Sequence, residues 1–441
     1  MTMDIKTLLT NIWRRVRNKG LRYWITALIV FILGIVLTPY IYDNVQFKGT
    51  TFHEARALLF QKLMSLGAPP PTPQFVRAVL VEDDDYWGPA LAGRVPIKRD
   101  YLADLVTKLK ESGARSIALD FDLRLPDPNV MDVAEDYRGE TDCLICAIQT
   151  AASAGKKIIL STPISFIGGT YTRDPDVYQA YGLCGGRNAL RAEPLRCNRD
   201  RPPPCQRDEE ALQRYVSCGY IALPTEPLEI PGRLPSSDPE PLDSFSYLIA
   251  RANTPSLTAL ESAREQDARY TTFISREQFR KAGALISASE LRSGSMQGDA
   301  LRDKDVIVGA HWSRTAIGRG GIVDMHRTVV GEVPGAVLHA NFAEAMLGGR
   351  TFPKVSKSLL HVIELAFGLV AMIALALMRS VLGKLAVFVA LLAALLLLQW
   401  TALRFLAIFF DALVPLCGLA LHSIYERLLG PHGHHPSAAS H

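Results

Sequence analysis

The chain has 441 residues, 48% hydrophobic and 21% charged, with a net charge of +4. That apolar fraction excludes a largely disordered polypeptide, and 32 Gly without a Gly-X-Y period exclude collagen. So small a net charge offers no global field to nucleic acid, and no nucleic-acid partner is expected. A mean hydropathy of +0.12 is high for a soluble protein and points to a few dense apolar segments.

Residues 1–22 form a basic N-terminus carrying Arg14, Arg15, Arg17, Lys19 and Arg22. Tyr23–Ile41 follows without a charge and would span about 28 Å as a helix, close to a bilayer core. A cleaved signal peptide is the competing reading. The run is long for one, and Thr38-Pro39-Tyr40 is not a small-x-small cleavage site. Residues 23–42 are therefore expected to be an uncleaved transmembrane anchor.

Residues 43–357 would form one exported domain. Gly67–Pro73 is a linker with four prolines. Phe75–Val81 has the pattern of a buried strand, and acids follow it: Glu82, Asp83, Asp84 and Asp85. Asp100–Ser112 places Leu102, Leu105, Val106 and Leu109 on one helical face, with Gly113 as its stop. Ser116–Leu119 is a short strand ending in Asp120-Phe121-Asp122. A second unit pairs a helix at Asp142–Ala154 with a strand at Lys157–Leu160, and Asp305–Val308 is a later strand leading to His311. This alternation predicts an α/β domain with a mostly parallel sheet. Residues 170–240 are dense in Pro, Arg and Cys and are expected to be an irregular Cys/Pro-rich insertion. Gly318–Gly321 is only a glycine-rich loop.

Three apolar runs close the chain, Leu359–Met378, Leu385–Leu403 and Phe405–Ile424, so residues 358–425 are expected to hold three more transmembrane helices. Residues 426–441 would be a short cytoplasmic tail. The basic N-terminus, with Arg379 and Lys384 after the second span, puts both termini in the cytoplasm and the large domain outside it.

The cysteines agree with export. Cys143, Cys146, Cys184, Cys197, Cys205 and Cys218 lie in the exported region and Cys417 in the last span. Six would form disulfides in one of 15 connectivities. A zinc site built on Cys143-x2-Cys146 lacks a second close pair, and a Cys143–Cys146 redox couple is a third reading.

Several of these residues resemble one family. Glu82/Asp83, then Pro96 and Arg99, the helix over Leu102–Leu109, Gly113-Ala114 and Asp120 are similar to the opening of the CHASE2 family, an extracytoplasmic sensory domain of bacterial membrane receptors. Val306–Gly309, Asp324, His326, Thr328, Val333-Pro334-Gly335 and Leu338-His339-Ala340-Asn341 resemble its closing motif. One span before the domain and three after it also match. The resemblance covers about residues 45–425. It implies a sensor in the bacterial inner membrane, its domain in the periplasm or outside the cell, binding an extracytoplasmic ligand; family analogy adds a homodimer. Many members continue into a kinase or cyclase, whereas this chain stops 17 residues past Ile424. A separate cytoplasmic signalling protein is therefore expected as the partner, beside the lipid bilayer itself.

The candidate ligand-binding residues are Glu82, Asp83, Arg99, Asp120, Asp122 and His326. In open parallel sheets ligands bind beyond the carboxyl ends of strands, where these acids would gather around a cation or a basic ligand. The plainer alternative is that the acids cap turns and helices. Arg99 would pair with an internal carboxylate or grip an anion. His311, Asp324, His326 and His339 match no compact metal motif and are expected to be structural. Within the spans, His361, Glu364 and Asp411 would form a polar cluster or reach the headgroups. His432, His434, His435 and His441 are expected in a polar tail. No cofactor, metal or catalytic group is expected. The alternatives are a periplasmic metal-dependent hydrolase using Asp120, Asp122, His311 and His326, and an envelope scaffold protein.

Overall fold

The computed structural model describes residues 51–66, 71–123, 137–174, 176–184, 208–223, 229–234, 242–254, 269–295, 299–315, 321–353, 357–378 and 380–408, with Ile25, Cys197 and Ser236. They fall into two compact units, one within Ser65–Thr351 and one from the flanking segments Met1–Met64 and Phe352–His441.

The first unit is built on a six-stranded parallel sheet. Strand β1 (Val76–Glu82) is apolar and buried along nearly its whole length, as a strand covered on both faces must be. Helix α1 (Arg99–Glu111) buries Leu102, Leu105, Val106 and Leu109, the stripe its spacing dictates, and Lys108 and Lys110 suit the negative end of its dipole. Gly113, at φ 79°, turns the chain into β2 (Ser116–Asp120). Helix α2 (Tyr137–Ser153) begins five residues before the expected Asp142 and leads to β3 (Lys157–Thr162). A hairpin of β4 (Ile164–Ile167) and β5 (Thr170–Arg173) follows.

The segment expected to be an irregular insertion corrects that expectation in part. Its residues 208–220 form α3 (Glu209–Tyr215) and β6 (Val216–Tyr220), and β6 extends the main sheet by pairing with β3. Next come α4 (Phe245–Asn253), β7 (Leu285–Ser287), α5 (Ala288–Ser293) and β8 (Asp305–His311). A two-stranded ribbon of β9 (Met325–Thr328) and β10 (Gly331–Pro334) then enters α6 (Gly335–Leu347).

The strand order is β7-β1-β8-β2-β3-β6, every neighbouring pair parallel. Helices α1, α2, α3 and α5 cover one face, and α4 and α6 cover the other. Strand β8 therefore sits between β1 and β2, yet its outgoing chain crosses to the opposite face from theirs. A crevice opens at the carboxyl ends of strands where such a reversal occurs. Gly309 on β8 lets α6 press close, since a Cβ there would lie 2.5 Å from Ala336 Cβ. At the other end of α6, buried Glu344 accepts the backbone N–H groups of Phe75 and Val76 at 2.5 and 2.6 Å, fixing the start of β1.

Two disulfides brace the domain among the described residues. Cys143 on α2 bonds Cys197, and Cys184 bonds Cys218 on β6. Cys146 is also disulfide-bonded, so the Cys-x2-Cys pair is neither half a zinc site nor a free dithiol. Cys205 lies outside the described residues.

In the second unit, helices Thr51–Ser65, α7 (Lys357–Leu377) and α8 (Val381–Thr401) are described. Among the described residues one helix, Leu382–Leu406, is long and apolar enough to cross a membrane. His361 and Glu364 lie on α7, with side chains outside the described set; Asp411 and nearly all of the first and last expected spans are outside it as well.

Candidate functional site

The carboxyl edge around β8 gathers acids and imidazoles from strands far apart in sequence. Asp120 ends β2 and is in register with Gly309, while Glu82 ends β1 and is in register with His311. Because Gly309 admits the first turn of α6, Asp120 lies against the segment that carries Asp324 and His339. Asp324 is held in the left-handed region at φ 57°, and its carbonyl accepts the N–H of Gly335 at 2.8 Å. A Cβ on Gly335 would run into the Asp324 carboxylate, so a larger residue where the ribbon turns into the helix would displace that side chain.

The chemistry of the group follows from burial. Asp120 is 8% exposed, and its Oδ2 has no hydrogen-bond partner among the described residues. Burial, and then the nearby Asp324 charge, pushes the Asp120 carboxyl well above the usual carboxylate range. Asp324 Oδ1 is 2.9 Å from His326 Nε2. His339 is buried, with Nδ1 2.8 Å from Ser246 Oγ and its ring edge-on to Phe245. Burial lowers its imidazole to about 4, so it is neutral near pH 7. The cluster thus pairs a carboxyl that favours its proton with a second, half-exposed carboxylate–imidazole pair. It can both donate to and accept from a small polar ligand.

The neighbouring group is more internally satisfied. Glu82 Oε1 lies 3.5 Å from both His311 Nδ1 and Arg276 Nη2. The His311 hydrogen bond, outweighing desolvation, holds the Glu82 carboxyl below its ordinary value. His311 Nε2 is buried without a partner.

The structure disperses the remaining sequence candidates. Asp83 accepts the Ser313 N–H at 2.6 Å and the Ser313 hydroxyl at 2.9 Å, which places it in the turn-holding role. Asp85 likewise accepts from Tyr101 at 2.7 Å. Asp122 is exposed, and its charge bears on Asp176 rather than on Asp120. Arg99 is buried on the opposite face, over the Tyr137 ring, and among the described residues its side chain makes no ion pair, where an internal salt bridge was one expectation. Of the four residues of the hydrolase alternative, Asp120 and His326 both neighbour Asp324, whereas His311 pairs with Glu82 and Asp122 lies toward Asp176. Among the described residues no three His, Cys, Asp or Glu side chains form a metal-ligand group.

Sequence reasoning missed Ser246. A serine between apolar residues at Phe245-Ser246-Tyr247 carries no local signal.

No curated protein and no solved structure matches the chain. A family model, the CHASE2 domain, matches residues 27–381, some four-fifths of the chain. The parallel sheet with acids at its strand ends and the closing segment around Asp324 and His339 lie within that span; the chain belongs to the CHASE2 domain family of extracytoplasmic sensory domains.

Proposed function

We propose that this protein is a non-enzymatic, membrane-anchored sensor whose ligand occupies the crevice beside β8. The observation that carries the reading is Asp120: a buried carboxyl with an oxygen unpartnered among the described residues, set beside the Asp324–His326 pair at the carboxyl edge, where the outgoing connections switch faces. A ligand offering hydrogen-bond donors, such as an amine or hydroxyl, would satisfy that oxygen. Binding biases the domain only by differential affinity for its two conformations. The Gly335 turn and His339 lie on α6, which is followed in sequence by α7, so a shift at the site would be passed toward the membrane.

Tyr23–Ile41, Lys357–Leu377, Leu382–Leu406 and the remainder of Phe405–Ile424 would make four spans, with both termini in the cytoplasm of a bacterial inner-membrane protein. The outward-facing apolar side chains of α7 and α8, among them Val362, Val370, Leu382 and Leu397, suit contact with lipid. A separate cytoplasmic protein would read the signal, and the receptor would act as a homodimer.

The test is a thermal-shift screen of the full chain in detergent micelles with small amines and polyols. A ligand at 100 times its Kd adds about 2.7 kcal/mol, a rise of roughly 4–5 °C for a domain of this size. The shift should disappear in Asp120→Asn and His326→Ala. A library in which no compound distinguishes wild type from Asp120→Asn would overturn this site.

A further inference from the structure

We propose that the amino edge of the parallel sheet is a docking surface for anionic phospholipid headgroups, engaged through a row of cations centred on Lys157 and Arg214. The inference rests on the membrane anchoring proposed above and is independent of the reading given to Asp120.

The argument begins with the charges at the two ends of the strands. β1 and β2 each end in an acid, Glu82 and Asp120, at the carboxyl edge. The opposite edge is basic. Lys157 is the first residue of β3, Arg115 and Lys304 directly precede β2 and β8, and Arg214 stands just before β6. Every neighbouring pair of strands is parallel, so these four cations share one edge.

Lys157 and Arg214 form the centre of the row. Lys157 Nζ donates to the Arg214 carbonyl at 3.1 Å and lies 4.8 Å from the centre of the Tyr215 ring. The Arg214 guanidinium carbon lies 5.4 Å from the same ring. Arg214 is exposed and Lys157 half-buried, and among the described residues neither is in an ion pair with a carboxylate. Burial, then the charges of Arg214 and of Arg251 in the last turn of α4, lowers the Lys157 amine, as expected of cations gathered without a counter-charge. The acids nearest this edge are spent elsewhere. Buried Asp305 is gripped by Arg115 Nε at 3.2 Å and Nη2 at 3.0 Å. Glu344 holds the N–H groups of Phe75 and Val76, and Asp208 caps α3 by accepting the Ala211 N–H at 3.0 Å. An external anion would supply the missing charge.

The path of the chain selects the anion. β1 begins at the basic edge and α6 ends there, tied together by Glu344. Phe75 leads back in sequence to Tyr23–Ile41, and Leu347 leads forward to α7. Both connections to the apolar segments therefore leave the domain from its basic edge. In an anchored protein that edge is the one offered to the headgroups, whose phosphodiester oxygens accept from Lys and Arg. The strand order puts β6 four strand spacings from β1, about 19 Å along the edge. Arg214 is thus a second foothold, well to the side of the covalent exits. An acidic protein partner would require no such coincidence of basic edge and exits.

The test is fluorescence quenching of the full chain in lipid nanodiscs. A fluorophore on Ala154→Cys, exposed in the turn before β3, reports the basic edge. One on Ile167→Cys, in the hairpin after β3, reports the opposite edge. The quencher is phosphatidylcholine spin-labelled on its headgroup, in discs of phosphatidylcholine alone or mixed with phosphatidylglycerol. Quenching at Ala154→Cys should rise when phosphatidylglycerol is added and fall back in high salt, while Ile167→Cys stays unquenched in both. Replacing Lys157 and Arg214 together by Gln should abolish the rise, and the salt response of wild type keeps the test decisive where that variant is unstable. A chain that does not elute with the discs overturns the anchoring, and this inference with it. A chain that enters the discs but is quenched alike in both lipids, or whose rise survives the Gln substitutions, overturns the docking surface alone and leaves this edge to solvent or to an acidic protein.

Discussion

His339 provides the sharpest physical test of the buried cluster. Its imidazole is 3% exposed, takes part in the Ser246 contact through Nδ1, and is lowered from about 6.5 to about 4 chiefly by desolvation. A lowered folded-state value means that the unfolded chain binds more protons between these two pH values, so stability falls as pH falls from 6.5 toward 4. Linkage gives a loss of about 2.5 kcal/mol between pH 7 and pH 4.5 from this side chain alone. His339→Asn keeps an oxygen where Nδ1 meets Ser246 and removes the titration. Asp120 acts in the opposite sense: its raised value means the folded state holds the proton more tightly, so its stabilising contribution grows on acidification and is lost as pH rises. Asp120→Asn should therefore lose more stability than wild type between pH 7 and pH 4.5, and His339→Asn less. Urea denaturation of the full chain in micelles reads this through Trp312, stacked on Tyr86, and Trp87, bonded to the Ser313 carbonyl. An unchanged pH 7 to 4.5 difference in His339→Asn would refute the neutral, buried imidazole.

Two structural predictions use the same denaturation assay. Gly309→Ala should destabilise the domain by about 1–3 kcal/mol by forcing α6 off β8, and it should disturb the Asp120 crevice as it does so; wild-type stability would contradict the close approach. Replacing Cys184 and Cys218 together by Ser opens a crosslink of sequence separation 34 and should lower stability by about 3–4 kcal/mol, while reductant, which also opens Cys143–Cys197, should lower wild type by more. A variant whose midpoint is unmoved would show that β6 is held by the sheet alone.

The central strands were legible because a parallel strand covered on both faces is a continuous apolar run, and Ala78–Val81, Ile117–Leu119 and Val306–Val308 are such runs. The acids Glu82 and Asp120 stand at the carboxyl ends of their strands. Two strands of the main sheet escaped notice for physical reasons. β7 has only three residues, and β6, Val-Ser-Cys-Gly-Tyr, is an edge strand with one side open and no apolar run to announce it. Which acids would meet was not legible, because Asp120 and Asp324 are brought together by the β8–α6 approach across some 200 residues. Asp83 shows the converse: it stands in an acidic run that suggested a ligand, and its carboxylate is consumed by Ser313. Arg99 was singled out from sequence as either an ion-pair partner or an anion ligand, but sequence could not show that Glu140 would be occupied by Arg94 and leave the Nε–Nη2 edge open.

The account depends most directly on the α/β domain lying outside the cytoplasm. Ile167, at the tip of the β4–β5 hairpin, is 64% exposed, so Ile167→Cys offers an accessible thiol on the domain. In intact spheroplasts a membrane-impermeant maleimide should label this cysteine as fully as it does after lysis. Labelling that appears only after the membrane is broken would put the domain in the cytoplasm and contradict the receptor reading at its root.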